Sequence, residues 1–474
     1  MKLFIIGLGS VIPEHVHVVE ELAKQHEILY WLYIYDVAKS VDKARFPGTV
    51  FHDYRAALKG IHSENIDASR FEPWSKDDIV LFSAIESEIM SMIDKWYPDW
   101  PILKRKDFYY DLLCYWGGVL DQLNPDAILF ADVPHQMFDF VLYEIAKRRG
   151  IKTIILDPVF RYDRLVTYRD YRAGNEALAN WKQRARETKL NELAPETRGY
   201  YLEVSGSKDP SPAHFTEWNK VNSGLYKFRR HAMSLIPFIR DGSIIERGVM
   251  RIFKMLKSNV KDEYLALERP ADLKKPYVYV PIHYQPELTT SPQGSVYVDQ
   301  ILMMKTLSAA LPVDWELYIK EHPAQWMAHG GNFTSYRYRG IYEEMARLRN
   351  VRLVPVTTNT FTLIDNAKAI ATATGTAAME AILRGKNALI FGYPWFMHAP
   401  GMFRVSCVED CRKAFARIME EKRADEQDIL NYLKVVEEVS FRGYTAGEGA
   451  SVSTYDRKEA WQEILKAIED ELRK

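Results

Sequence analysis

Two series of short β-rich segments, each interleaved with helical patterns, predict an α/β chain built on two doubly wound sheets. Three observations carry that prediction. Apolar runs rich in β-branched and aromatic residues recur at strand–helix–strand spacing over 1–174, and again over 271–425. Between them, 175–270 is long, charged and helix-like. The 474 residues also exceed one comfortable core.

In the first series "KLFIIG" (2–7), "EILYWLYIY" (27–35), "DAILFA" (126–131) and "KTIILD" (152–157) are expected strands. Phe138, Val141, Leu142 and Ile145 fit one helical face between the last two, and Gly150 stops that helix. Strand, helix and strand in this space form the βαβ unit of a parallel sheet. The connector interleaves Arg229, Arg230, Arg240, Arg247, Arg251, Lys254 and Lys257 with Met, Leu, Ile and Phe. That pattern fits a solvated helical connector, or a basic amphipathic surface for an anionic lipid or glycan over 227–257. The second series is "YVYVPI" (277–282), "WELYIK" (315–320), "VRLVPV" (351–356), "KAIATA" (368–373), "NALIFG" (387–392) and "FRVS" (403–406). The tail, 426–474, is expected to be helical and to pack back across the domains. Paired sheets of this kind hold ligands at the carboxyl ends of their strands, in the cleft between them.

Lys and Arg number 63 against 64 Asp and Glu, a net charge of −1, which argues against a dedicated nucleic-acid binder. The opening "MKLFIIGLGS" is a first strand rather than a signal peptide, and no run of about 18 apolar residues occurs, so a cytoplasmic chain is expected. Cys114, Cys407 and Cys411 read as free thiols, and no metal site is assigned. Gly7-Leu8-Gly9 lacks the third glycine of a dinucleotide fingerprint.

Three polar bursts follow strands of the second sheet. "HYQPELTTSPQG" brings Gln285 and Glu287 around a proline, and "KEHPAQW" brings Lys320 and His322. In "TATGTAAME", Thr374, Gly375 and Thr376 open a helix with Glu380 one turn in. Small residues at a helix start suit a phosphate, and Glu380 suits a ribose hydroxyl. The competing reading is an ordinary Ser/Thr cap with a solvated glutamate. On the first sheet, Asp132 and Asp157 each end a strand, as a catalytic carboxylate or as a cap and a turn residue. Arg161 is placed to neutralise a substrate carboxylate, or is an ordinary surface arginine.

Together "YVYVPIHYQPELTTSPQG", "LYIKEHPAQW" and "ATATGTAAMEAILRGKNALIFG" resemble the Gln-Pro-Glu motif, His-Pro motif and Ser/Thr-rich helix start of bacterial capsule polysaccharide biosynthesis proteins. That family includes β-Kdo transferases, which use CMP-activated 3-deoxy-D-manno-octulosonic acid. The likeness covers about 277–396. It is looser over "ILDPVFRYDRLVTY", where Asp157-Pro158 stands in place of the family's acidic-Gly pair.

The resemblance implies a GT-B arrangement of two Rossmann-like domains and a glycosyltransferase without a cofactor, its co-substrate a CMP-activated sugar. It implies Gln285 and Glu287 near the donor sugar, His322 on the donor phosphate, and Thr374, Gly375 and Thr376 around the phosphate or cytidine. A first-domain aspartate is then nucleophile or base. The expected partners are a nucleotide sugar, a glycan or glycolipid acceptor, and the inner-membrane surface through 227–257. The competing functions are a UDP-sugar transferase or epimerase and a non-catalytic partner in capsule assembly.

Overall fold

A computed structural model describes residues 1–9, 12–33, 41–160, 163–206, 260–285, 289–326, 336–420 and 423–474. Arg161, Glu287 and the basic 227–257 segment lie outside the described residues.

The first sheet has seven strands: β1 (Lys2–Ile6), β2 (Glu27–Tyr33), β3 (Val50–Asp53), β4 (Ala127–Phe130), β5 (Lys152–Val159), β6 (Arg164–Tyr168) and β13 (Phe441–Arg442). Their order is β13-β6-β5-β4-β1-β2-β3, parallel except for the pairs that β6 makes with β5 and β13. β1 and β4 are nearly continuous apolar runs because both faces are covered. Leu3 and Ile5 join the core under helices Val16–Leu22 and Arg457–Arg473, whereas Phe4 and Ile6 join the one under Ile102–Leu123 and Met137–Arg148.

The second sheet has six strands, all parallel: β7 (Tyr277–Pro281), β8 (Glu316–Lys320), β9 (Val351–Leu353), β10 (Ala369–Thr372), β11 (Asn387–Ile390) and β12 (Met402–Arg404). The order β12-β11-β10-β7-β8-β9 reverses direction between β7 and β10, which is where such a sheet opens a crevice. The expected α/β architecture of two Rossmann-like sheets is therefore present.

Three strands escape the sequence reading. β3 ends in polar residues, β6 is the return arm of a hairpin whose first arm is β5, and β13 is only two residues long. The tail returns to the first domain: β13 pairs with β6, helix Glu426–Val439 packs on Glu176–Ala179, and helix Arg457–Arg473 lies on Val16–Leu22. Arg164 ties this together through Ser440 Oγ at 2.8 Å and the carbonyls of Glu437 and Ser440.

The domains also touch directly. Ser295 Oγ donates to Glu88 at 3.0 Å, Tyr336 donates to the Ser91 carbonyl, and Phe160 and Trp395 meet edge to face at 5.4 Å.

Candidate functional site

Where β7 ends, His283 becomes the hub of a turn that ties β7 to the end of β10. Its N–H donates to Gln300 Oε1 at 2.6 Å, and its Nε2 lies 3.0 Å from Thr372 Oγ1. Thr374 N–H donates to the same Nε2 at 3.2 Å, making that nitrogen an acceptor. Gly375 N–H donates to Thr372 Oγ1, and a Cβ on Gly375 would sit 2.8 Å from that oxygen, so only glycine lets the turn close. Thr374 Oγ1 donates to the Thr289 carbonyl at 2.6 Å. The Thr374 and Gly375 N–H groups, which the sequence reading turned toward an anion, are thus spent on building the turn. Thr376 alone of the three is exposed, at the start of helix Ala377–Leu383 and 3.4 Å from Glu380.

Lys320 ends β8, beside β7, and Glu380 sits on the helix that follows β10. The Lys320 ammonium donates at 2.7 Å to both the Thr358 carbonyl and Thr360 Oγ1. Burial lowers it to about 8, with the charge of Glu380 pulling the other way. Burial raises Glu380 to about 7, opposed by the Thr376 hydroxyl, Arg384 and Lys320. Two opposite charges, both displaced toward neutrality, one at the end of β8 and one on the helix after β10, are a recognised signature of a working site. His322 stands beside them, half-buried, its ring 6.0 Å from that of Tyr284.

Behind this surface lies a buried ionic network. Arg337 and Glu321, 1% and 0% exposed, pair at 2.7 Å, and Tyr342 also donates to Glu321. Arg337 further donates to Gln285 Oε1 at 2.8 Å and to the His283 carbonyl at 2.9 Å. The Gln285 side-chain amide donates to the Val298 carbonyl, and its backbone N–H to Gln325 Oε1. Both ends of the Gln285 side chain are therefore engaged inside the domain. Gln285 lines a 300 Å³ cavity that Ser87 and Ser91 bound across the domain junction. Nothing in the sequence marked Arg337 as the partner of Glu321, because it arrives from a loop 16 residues away.

The first-domain aspartates differ. Asp132 is half-buried in the loop after β4 and accepts from the Val133 N–H at 2.8 Å. Asp157 lies within β5, 7% exposed, accepting from the Tyr168 hydroxyl at 2.8 Å. Burial raises its carboxyl to about 7 against that hydrogen bond. The folded state thus holds a proton that the unfolded chain releases near 3.8, so the stability Asp157 contributes is complete below that value and is lost as pH rises through 7. Asp157→Asn is expected to gain on the wild type by up to about 4 kcal/mol between pH 4 and 7, then level off. Urea unfolding across that range checks this; a difference that does not change with pH would mean Asp157 is ionised in the fold.

Residues 252–429 match the model of a family described as capsule polysaccharide biosynthesis protein. A search of curated proteins returned no match. Among solved structures, the β-Kdo 2,7 transferase KpsC of Thermosulfurimonas dismutans is similar at 10% identity, covering 85% of this chain and 98% of that one with a TM-score of 0.31. The UDP-GlcNAc 2-epimerase of Methanocaldococcus jannaschii is similar at 12% identity, covering 92% and 99% with a TM-score of 0.26.

Proposed function

With residues 252–429 assigned to the capsule polysaccharide biosynthesis protein family, we propose that this chain is a glycosyltransferase of surface polysaccharide synthesis. It transfers a Kdo-like ulosonic acid from a CMP-activated donor to a glycan or glycolipid acceptor. The observation that carries this reading is that Lys320, at the end of β8, and Glu380, on the helix after β10, are both displaced toward neutrality by burial and feel each other's charge, inside the family-matched segment.

In this reading Lys320, His322 and the Thr376 hydroxyl meet the phosphate and the donor carboxylate, while Glu380 accepts from the ribose. As CMP leaves, negative charge grows on its single phosphate, and fixed cationic donors in a low-dielectric crevice stabilise that charge without a metal. Gln285, Thr374 and Gly375 act by holding His283 and the turn. Asp132, accessible after β4, is the first choice for the nucleophile or base, ahead of the more buried Asp157; Glu287 remains a donor-side candidate. The basic 227–257 segment is the contact for an anionic membrane surface.

The UDP-sugar alternative is separated by calorimetry. CMP is expected to bind at least about tenfold more tightly than UDP, a difference of about 1.4 kcal/mol. UDP binding well above CMP would remove the ulosonic donor from the reading. The transfer itself is tested with CMP-Kdo and a glycolipid acceptor in the presence of EDTA, where turnover is expected to persist in the wild type and to fail in Asp132→Asn.

A further inference from the structure

In the first domain, helices Glu86–Trp96 and Ile102–Leu123 are joined by a tight turn over 97–101. Packing and hydrogen bonds hold it rigid. The Tyr97 and Trp100 rings stack at 3.9 Å, and the Tyr97 hydroxyl donates to the Leu58 carbonyl at 3.0 Å. Arg105 donates to the carbonyls of Pro98 at 2.7 Å and Trp100 at 2.9 Å, and pairs with Asp94 at 2.7 Å.

That fixed tip carries apolar side chains into solvent. Leu103 is 77% exposed, Ile102 57% and Trp96 44%. A helix start is better served by a polar cap and an acid in the first turn, which satisfy its free N–H groups and its dipole. Here Pro101 stands at the N-cap, no side chain caps the helix, and the first turn holds no acid. Two consecutive aliphatic residues take those places, and the fold gains no apolar burial from them.

The tip is also placed where the two domains meet. Trp96 Nε1 donates to Gln136 Oε1 at 2.8 Å, and Gln136 opens the helix that follows β4. On the helix that ends in Trp96, the Ser91 carbonyl accepts from Tyr336 of the second domain. The exposed residues therefore lie beside the carboxyl end of β4, the end that carries Asp132.

The chemistry of the tip selects a bilayer as its partner. Lys95 Nζ lies 5.7 Å from the centre of the Trp96 ring, and Lys104 Nζ lies 4.3 Å from that of Trp100. Over 95–104 two lysines stand against one acid, Asp99, a net charge of +1. Tryptophan and lysine flanking aliphatic side chains suit the headgroup layer, with ammonium groups on lipid phosphates and the aliphatic groups below them. Three protruding side chains fall far short of the about 800 Å² per partner that a stable protein interface buries. A bilayer asks for no such matched face. Among the described residues no helix is long and apolar enough to cross a membrane, so the contact this tip makes is peripheral.

We propose that the 95–104 tip docks the protein on a phospholipid bilayer by inserting Trp96, Ile102 and Leu103 among the headgroups. Docked in this way, the domain junction faces the lipid surface. Use of that orientation to meet a glycolipid acceptor rests on the transfer reaction proposed above, whereas the docking itself does not.

The test floats the full chain with vesicles of phosphatidylcholine and phosphatidylglycerol in equal parts, at high salt to screen the basic 227–257 segment. Wild-type protein is expected to float with the vesicles. Leu103→Asp and Ile102→Asp, both at exposed positions, are each expected to weaken vesicle binding about tenfold or more. Val313→Asp alters a side chain that is equally exposed but lies before β8 in the second domain, and should bind as the wild type does. Calorimetry with CMP should give the same affinity in all three variants, which shows that they are folded. Failure of the wild type to float, or tip variants that float as the wild type does, would overturn the proposal. So would sedimentation showing a wild-type dimer that Leu103→Asp turns into a monomer, because the tip would then face a second copy. A wild type that floats but binds no CMP would count against the transfer reading and leave the docking surface standing.

Discussion

Replacing Arg337 by methionine is expected to destabilise the protein by about 3–5 kcal/mol, because Glu321 then keeps a buried charge with no cation opposite it. The loss extends beyond the pair. Arg337 also holds the His283 carbonyl and Gln285, so the turn bearing Thr372, Thr374 and Gly375 loses its backing. Glu321→Gln combined with Arg337→Met removes the stranded charge and is expected to recover part of the loss, although Tyr342, His322 N–H and Gln285 still lose or weaken a partner. Urea unfolding of the two variants decides the matter. A single variant as stable as the wild type would show that the pair does not hold the second domain.

Removing Lys320 is expected to have the largest effect on function. Lys320→Met should lower CMP affinity by about tenfold to a hundredfold, the worth of a hydrogen bond from a charged donor. The pH dependence carries a sign. With its ammonium lowered to about 8, Lys320 loses its proton as pH rises through that value, so wild-type CMP affinity should fall above pH 8. At most this is about tenfold per pH unit for one proton. In Lys320→Met the fall should vanish. Calorimetry at several pH values checks both parts, and a variant that binds CMP as the wild type does would place the phosphate elsewhere.

Much of this architecture is legible in the sequence because buried parallel strands announce themselves. "LFII" and "AILF" have no room for polar residues, and each is followed by a helix pattern. β6 and β13 are not legible in the same way: β6 opens on an arginine and is flanked by charge, and β13 exists only because Phe441 finds Leu165 across the length of the chain.

The site divides similarly. Polar bursts at strand ends point to the correct edge of the second sheet, and Lys320 and Glu380 are brought together there. What the residue string does not disclose is which donors are already spent. Thr374 and Gly375 look free in a linear motif, yet their N–H groups close a turn on His283 and Thr372. Gln285 looks presented by the proline after it, yet its amide joins an ion pair whose arginine comes from a distant loop. Asp132 and Asp157 read alike as strand-end carboxylates, and only packing separates the accessible one from the one held near neutrality by burial.

The most direct test of the central claim is a crystal structure of the protein soaked with CMP. The phosphate is predicted to lie against Lys320, His322 and Thr376, with the ribose against Glu380. Density for CMP away from the carboxyl ends of β8 and β10, or an empty crevice at saturating nucleotide, would contradict it.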